Sequence, residues 1–133
     1  MKHKKKLMLL AAALFAYPVI AKLLKGSLTN VNPLKLQYEN EVYKNIAAEQ
    51  FEAMDNTGTD EDALFESLEG LNSEDLKAVY NAFGEKRYAV NSAPVLIPWF
   101  YPHKNLIQWY IEELDAQELA RMKQIWKGTE LWV

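Results

Sequence analysis

Residues 53–68 read AMDNTGTDEDALFESL, and this stretch contains the sharpest break between two helical patterns in the chain. Its turn, D-N-T-G at 55–58, supplies Asn and Gly, two residues that readily adopt positive φ. Thr59 is predicted to cap the next helix by accepting the amide of Asp62, whose own side chain reaches back as in a capping box. Acids fill the first helical turn, where the helix dipole favours negative charge. Behind them an apolar face is predicted from Ala63, Leu64, Phe65 and Leu68.

The same stretch begins a resemblance to a known family. M-D-N-T-G-T-D-E at 54–61, followed by A-L-F-E-S-L, resembles the start of an annexin repeat. The likeness continues through S-E-D-L-K-A-V-Y-N-A-F-G at 73–84 and resumes at W-Y-I-E-E-L-D at 109–115. It covers a single repeat, roughly residues 53–127. The chain departs from the family pattern at Asn56, where Gly is usual, and in an extra segment that splits the unit.

The resemblance implies a candidate calcium site. An annexin-type site takes backbone carbonyls from the turn and one distant bidentate carboxylate. The corresponding residues here are Met54, Asn56, Gly58 and Glu113. Calcium is a hard cation and suits such an all-oxygen shell. The alternative is a capped turn with solvated acids and no metal. An EF-hand over 55–66 is excluded, because Asp60 occupies the position at which that loop requires Gly.

The N-terminus has the pattern of a membrane segment. Residues 1–6, MKHKKK, are strongly basic, and residues 7–21 carry no charge. As a helix this run would span roughly 22 Å, and about 27 Å if it extends to Leu24 with Lys22 snorkelling to the interface. The predicted lipid-facing residues include Leu7, Leu10, Leu14, Phe15, Val19 and Ile20. We therefore predict that residues 1–25 are an uncleaved membrane anchor, with the N-terminus cytoplasmic and the following domain on the other side.

Two other interpretations of this segment remain. It has the parts of a cleaved signal peptide, with a basic start, a short apolar core and a cleavage site at 19–21. The mature protein would then begin at Lys22 and be periplasmic or secreted. The third interpretation, a soluble amphipathic helix, fits less well because the run is apolar all round.

The remainder of the chain is acidic. The whole chain has 15 basic and 18 acidic residues, and residues 1–25 hold six of the lysines and none of the acids. Residues 26–133 therefore have nine basic residues against 18 acidic ones. Such a domain lacks the basic surface on which nucleic-acid binding depends. The chain has no Cys, which excludes disulfides and thiolate metal sites.

Helical patterns dominate after the linker at residues 26–33. Helices are predicted over 34–54, 60–69, 74–83, 105–114 and 115–127, with N-caps at Ser73, Asn105 and Asp115, the last in a capping box with Glu118. Residues 85–104 contain three prolines, which exclude a continuous helix and disfavour a central strand.

Two segments of the chain have similar sequences, and this internal echo indicates how the helices are organised. L-E-G-L-N-S-E-D-L at 68–76 lines up with I-E-E-L-D-A-Q-E-L at 111–119, so that Leu71 and Leu114 occupy equivalent corners. We predict an all-α fold, in which a transmembrane or signal helix precedes an acidic, annexin-repeat-like domain at 34–133. That domain is expected to be a bundle of two helical hairpins plus one preceding helix.

The sequence offers little for catalysis. His3 and His103 are its only histidines, and it has no Gly-rich phosphate loop and no nucleophile elbow. Adjacent acids such as Glu112 and Glu113 are common on solvated helix faces. We therefore expect no enzymatic activity, no catalytic residues and no cofactor, with calcium as the one candidate ligand.

The aromatic cluster Trp99, Phe100 and Tyr101 has two interpretations. It either folds back over the hairpins or forms an exposed patch for lipid headgroups or a protein partner. The function predicted from these features is a membrane-tethered structural or adaptor module with a protein partner, in a bacterial envelope or a membrane-containing virus particle. The alternative is a secreted or periplasmic protein that binds membranes in a calcium-dependent way.

Overall fold

The computed structural model describes residues 28–55, 58–88 and 102–132. Within them the α-helices are α1 Asn40–Asp55, α2 Glu61–Glu66, α3 Ser73–Phe83, α4 Leu106–Glu113 and α5 Ala116–Trp126. Short 3-10 helices, Pro33–Lys35 and Lys127–Thr129, precede α1 and follow α5. The two-residue strands β1 Lys86–Arg87 and β2 His103–Lys104 pair antiparallel. The predicted all-α class is confirmed for this part of the chain.

The predicted membrane anchor, residues 1–25, lies outside the described residues. Among the helices that are described, none is both long enough and apolar enough to cross a bilayer.

Capping chemistry fixes where three of the helices begin. Asn105 and Asp115 cap α4 and α5 as predicted, each in a reciprocal capping box with the residue three positions on. The cap of α3 is Asn72, which forms a box with Asp75, so the prediction of Ser73 was wrong by one residue. Asn72 is the position that the internal echo aligns with Asp115. The echo therefore corresponds to two equivalent capped corners.

The helix after the central turn is shorter and capped differently from the prediction. Asp60, not Thr59, is the N-cap of α2, and its Oδ1 accepts from the amide of Ala63 at 3.1 Å. The Thr59 hydroxyl donates elsewhere, to Glu113. After Glu66 the backbone bonds tighten to i→i+3 spacing, and the turn then reaches Gly70 at φ +76°. Such a conformation favours glycine and ends the helix before residue 69.

Helix α1 begins at Asn40, six residues later than predicted. The reason lies in the backbone N–H groups of the preceding residues, which donate to distant side chains. The amide of Gln37 donates to Asp75 Oδ1 at 2.9 Å, and that of Tyr38 donates to the Tyr43 hydroxyl at 3.0 Å. Because these groups are already bonded, residues 36–39 do not join the helix.

The core lies between α1 and α3, which make the most extensive helix–helix contact in the described chain. Helices α2 and α4 pack against α1 and α3 respectively. The largest fully buried side chains in this core are Trp109, Trp126, Tyr43 and Tyr110. Leu114 is buried at its corner, whereas Leu71 at the equivalent corner is only partly buried.

The residues on either side of the 89–101 segment pair as a short antiparallel ladder. Lys86 pairs with Lys104 and Arg87 with His103, and the amide of Tyr88 donates to the Pro102 carbonyl at 2.9 Å. The sequence did not predict this pairing. It is compatible with Pro102 because that residue contributes only its carbonyl, and Pro94 and Pro98 lie outside the described residues.

Candidate functional site

Glu113, the last residue of α4, joins three parts of the domain. Its Oε1 accepts a hydrogen bond from the Thr59 hydroxyl at 2.7 Å, and its Oε2 accepts one from the Tyr88 hydroxyl at 2.5 Å. Thr59 belongs to the turn before α2, and Tyr88 follows strand β1. The carboxylate therefore holds Thr59 and Tyr88 against the end of α4.

Both donors to this carboxylate are neutral hydroxyls. Burial raises the pKa of the Tyr88 phenol, and its hydrogen bond to Glu113 raises that pKa further. The phenol thus keeps its proton, and remains a donor to Glu113, throughout the neutral pH range. A carboxylate bonded in this way has one donor on each oxygen without any metal ion.

The residues implied by the annexin resemblance are partly brought together. Glu113 reaches Thr59, the neighbour of Gly58, and Gly58 adopts φ +84°. Met54 is buried in the last turn of α1, and the chain closes behind it through a 2.9 Å bond from the Asp60 amide to the Ala53 carbonyl. Asn56 lies outside the described residues. Within 28–55, 58–88 and 102–132, no three His, Asp or Glu side chains are grouped to hold a metal.

We expect calcium to leave the stability of the protein unchanged. A site with Glu113 as its one firm carboxylate would bind at roughly 10⁻⁴–10⁻³ M, and the cation would compete with both hydroxyl donors. At ten times Kd, binding would add only about 1.4 kcal/mol. The thermal midpoint of the full chain in detergent should therefore agree in millimolar calcium and in chelator. A rise in midpoint with calcium that disappears in Glu113→Gln would contradict this.

A second carboxylate, Asp75 in the first turn of α3, is completely buried without a cation within ion-pair distance among the described residues. Its Oδ1 accepts from the Gln37 amide at 2.9 Å and from the Tyr43 hydroxyl. Its Oδ2 accepts from the Asn72 amide at 3.0 Å and from the Gln37 side chain. Burial, followed by the hydrogen bond to Asp75, raises the pKa of Tyr43, so this donor also stays protonated.

The burial of Asp75 was not predicted from the sequence, although one signal pointed to it. Asp75 aligns with Glu118 in the internal echo, and Glu118 had been identified as the acidic partner of a capping box. The same reasoning at 72–75 identifies Asn72 and Asp75 as a pair. It does not predict the additional donors from residues 37 and 43.

A third polar group is buried where α1, α2 and α4 meet. The Gln50 amide is fully buried, donating to the Leu64 carbonyl at 3.0 Å and to the Ser67 hydroxyl at 2.6 Å. Its oxygen accepts from the Tyr110 hydroxyl at 2.5 Å. Burial raises the pKa of Tyr110 well above its ordinary value, and the nearby Trp126 N–H acts in the opposite direction. That N–H does not form a hydrogen bond of normal geometry.

An aromatic cluster supports the strand β1. Trp109 meets Phe51, Phe83 and Tyr88 edge to face, at centroid distances of 5.5, 6.1 and 4.8 Å. The Lys86 ammonium lies 5.1 Å from the Phe51 centroid, within the range of a cation–π interaction. The indole N–H of Trp109 donates to the Lys86 carbonyl at 3.3 Å. These contacts hold Lys86 and Tyr88 against the core.

The remaining predicted site residues lie outside the described residues. They are the three consecutive aromatic residues Trp99, Phe100 and Tyr101, and the anchor residues Leu7, Leu10, Leu14, Phe15, Val19 and Ile20.

Comparison with known proteins finds no family model that matches the chain, no similar curated protein and no similar solved structure. The site is therefore interpreted from its own geometry.

Proposed function

We propose that this chain is a membrane-tethered, non-catalytic structural or adaptor module. Residues 1–25 are its anchor, and residues 34–133 form an acidic helical domain with the plan of a single annexin repeat. The observation that carries the proposal is the uncharged run at 7–21 directly behind the basic cluster at 1–6. A segment of this kind has its lowest free energy in a bilayer, with the lysines on the cytoplasmic side.

The roles of the buried polar groups support a structural module. Asp75 and Gln50 are fully buried, and each bonds to groups on other elements of the fold. Glu113, which is partly buried, likewise connects Thr59 in the turn before α2 to Tyr88, directly after β1. All three side chains hold elements of the domain together. Their polar atoms form hydrogen bonds within the domain, as expected of polar groups with a structural role.

The proposal includes an orientation and a location. The N-terminus is cytoplasmic and the acidic domain lies on the other side of the membrane, in a bacterial envelope or in a membrane-containing virus particle. The domain faces a protein partner there, and Trp99, Phe100 and Tyr101 are the proposed contact residues because aromatic side chains are enriched at interfaces.

Extraction and N-terminal sequencing test the anchor. The full chain expressed in a bacterium should stay in the membrane pellet after alkaline carbonate treatment, with residue 1 intact. Leu10→Arg combined with Leu14→Arg should release it, because each Arg costs roughly 2.5–3.5 kcal/mol near the bilayer centre. Ser27→Arg, outside the apolar run, is the matched control and should remain in the pellet. Recovery of unmodified protein in the supernatant would refute the anchor.

The alternative function is a periplasmic or secreted protein that binds membranes through calcium. The observation that favours it is the position of Glu113 beside the turn that contains Gly58. The same sequencing experiment separates the two proposals. A mature protein beginning at Lys22 would support the alternative, and vesicle binding that requires both calcium and Glu113 would establish it.

A further inference from the structure

The chain just after the predicted anchor is fixed to the domain rather than forming a free tether. The Asn81 side chain of α3 accepts from the Thr29 amide at 2.9 Å and donates to the Thr29 carbonyl at 2.7 Å. One side chain thus bonds both backbone groups of a single residue, as a neighbouring strand would. Thr29 belongs to the stretch that the sequence predicts to be a linker.

Three more side chains of the same region continue this attachment. Glu74 accepts from the Asn32 amide at 2.7 Å, and Asn72 donates to the Lys35 carbonyl at 2.8 Å. Asp75 accepts from the Gln37 amide at 2.9 Å. We call residues 29–37 the docked arm. The arm runs along α3 and is bonded to it at intervals of two or three residues.

The docked arm is close to the predicted membrane boundary. Only residues 25–28 separate it from Leu24, the last apolar residue of the predicted anchor. At 3.3–3.6 Å per residue, the distance from Leu24 to Thr29 is at most about 18 Å. The headgroup layer on each side of a bilayer is roughly 5–8 Å thick. The arm must therefore lie at, or just beyond, the headgroups.

Two exposed apolar side chains lie on this arm or directly after it. Leu34 in the first 3-10 helix is 66% exposed, and Tyr38 is 39% exposed. The exposed Lys35 is next to Leu34. Apolar, aromatic and lysine side chains together are typical of segments that rest in the membrane interface. Ile111 on α4, 50% exposed, is the other large exposed apolar residue described.

We propose that Leu34 and Tyr38 insert into the interface of the same bilayer that holds the anchor, so that the docked arm fixes which face of the domain meets the lipid. This inference rests on the proposed membrane-tethered function. The occupant is lipid and not a protein, because the short connection from Leu24 places the arm beside the bilayer. The acidic character of residues 26–133 predicts that apolar insertion, and not attraction to anionic lipid, provides this contact.

Site-specific fluorescence tests the contact. Since the chain has no cysteine, Leu34→Cys creates a single labelling position for an environment-sensitive nitrobenzoxadiazole dye. The labelled full chain is reconstituted into phosphatidylcholine vesicles that contain nitroxide-labelled lipid. The dye at position 34 should emit at shorter wavelength and be quenched severalfold more strongly than a dye at Ile111→Cys. Ile111 is the matched control because it is apolar, exposed and outside the arm.

The outcomes separate this inference from the function on which it rests. Equal quenching at positions 34 and 111 in protein that floats with the vesicles would overturn the lipid contact and leave the anchor intact. Protein that does not float with the vesicles would overturn both. Strong quenching at position 34 alone supports both.

Discussion

Replacing Asp75 with alanine should lower the free energy of unfolding by at least about 3 kcal/mol. The substitution leaves the donors of Gln37, Tyr43 and Asn72 without the fully buried carboxylate that accepts from them. A buried donor without a partner costs roughly 1–3 kcal/mol, and hydrogen bonds to a charged acceptor are among the stronger ones. Urea unfolding of the full chain in detergent, followed by circular dichroism, measures the loss.

Glu118→Ala is the matched control for Asp75→Ala. Both acids stand three residues after an N-cap and bond back to its amide, at positions that the internal echo makes equivalent. Glu118 caps at the surface of α5, so its removal should cost roughly 1 kcal/mol or less. If the two substitutions had equal effects, the donors from the docked arm and α1 would contribute nothing, and the network around Asp75 would not be a source of stability.

Asp75→Asn tests whether the protein requires the negative charge of this side chain and not only its shape. The amide has nearly the same volume but presents one N–H₂ group to donors that need an acceptor. Its cost should approach that of Asp75→Ala, because at least one pair of donors then faces another donor. A fully stable Asp75→Asn protein would show that the carboxylate is not required and that one oxygen suffices.

The sequence predicted well those features that depend on residues only a few positions apart. Asn105 and Asp115 begin α4 and α5 because a cap and its partner are only three positions apart. Asn72 and Ser73 are both able to cap, but only Asn72 has an acid three positions on to complete a capping box. Asp75 decides in favour of Asn72, and it is fixed by residues on the docked arm and on α1.

The start of α1 was mispredicted for a similar reason. Helical spacing of apolar residues extends back to position 34, yet the amides of Gln37 and Tyr38 bond to partners outside a helix. One of these partners, Asp75, is 38 residues away in the chain. Helical periodicity depends on the residues of one segment and does not reflect such competition for backbone donors.

Glu113 shows what the resemblance contributed and what it left out. Its match to a carboxylate position of the annexin pattern singled out Glu113, and the structure places that side chain beside the central turn. The resemblance gave no reason to include Tyr88, which lies at the edge of the segment by which this chain departs from the family pattern. The hydroxyl of Tyr88 completes the hydrogen bonding of the carboxylate. Both oxygens of Glu113 therefore have donors, which a calcium ion would have to displace.

Trp109→Ala should destabilise the domain by about 3–5 kcal/mol, the usual cost of removing a large buried aromatic side chain. Trp109 is 2% exposed and is the ring that Phe51, Phe83 and Tyr88 share. Its loss leaves a cavity and removes three edge-to-face contacts, each worth roughly 0.5–1.5 kcal/mol beyond the buried area. The measurement is again urea unfolding of the full chain.

Trp109 should also stabilise the β1–β2 ladder. This effect on the ladder distinguishes its role from that of other core residues. Trp109→Phe keeps most of the packing but removes the N–H that donates to the Lys86 carbonyl. Hydrogen exchange at the Tyr88 amide, which bonds to Pro102, should then accelerate more than exchange in α1. Met122→Ala on α5, a fully buried residue outside this cluster, is the control and should accelerate exchange at both places alike. If Trp109→Phe leaves the Tyr88 amide as protected as in the unaltered protein, Trp109 does not anchor the ladder.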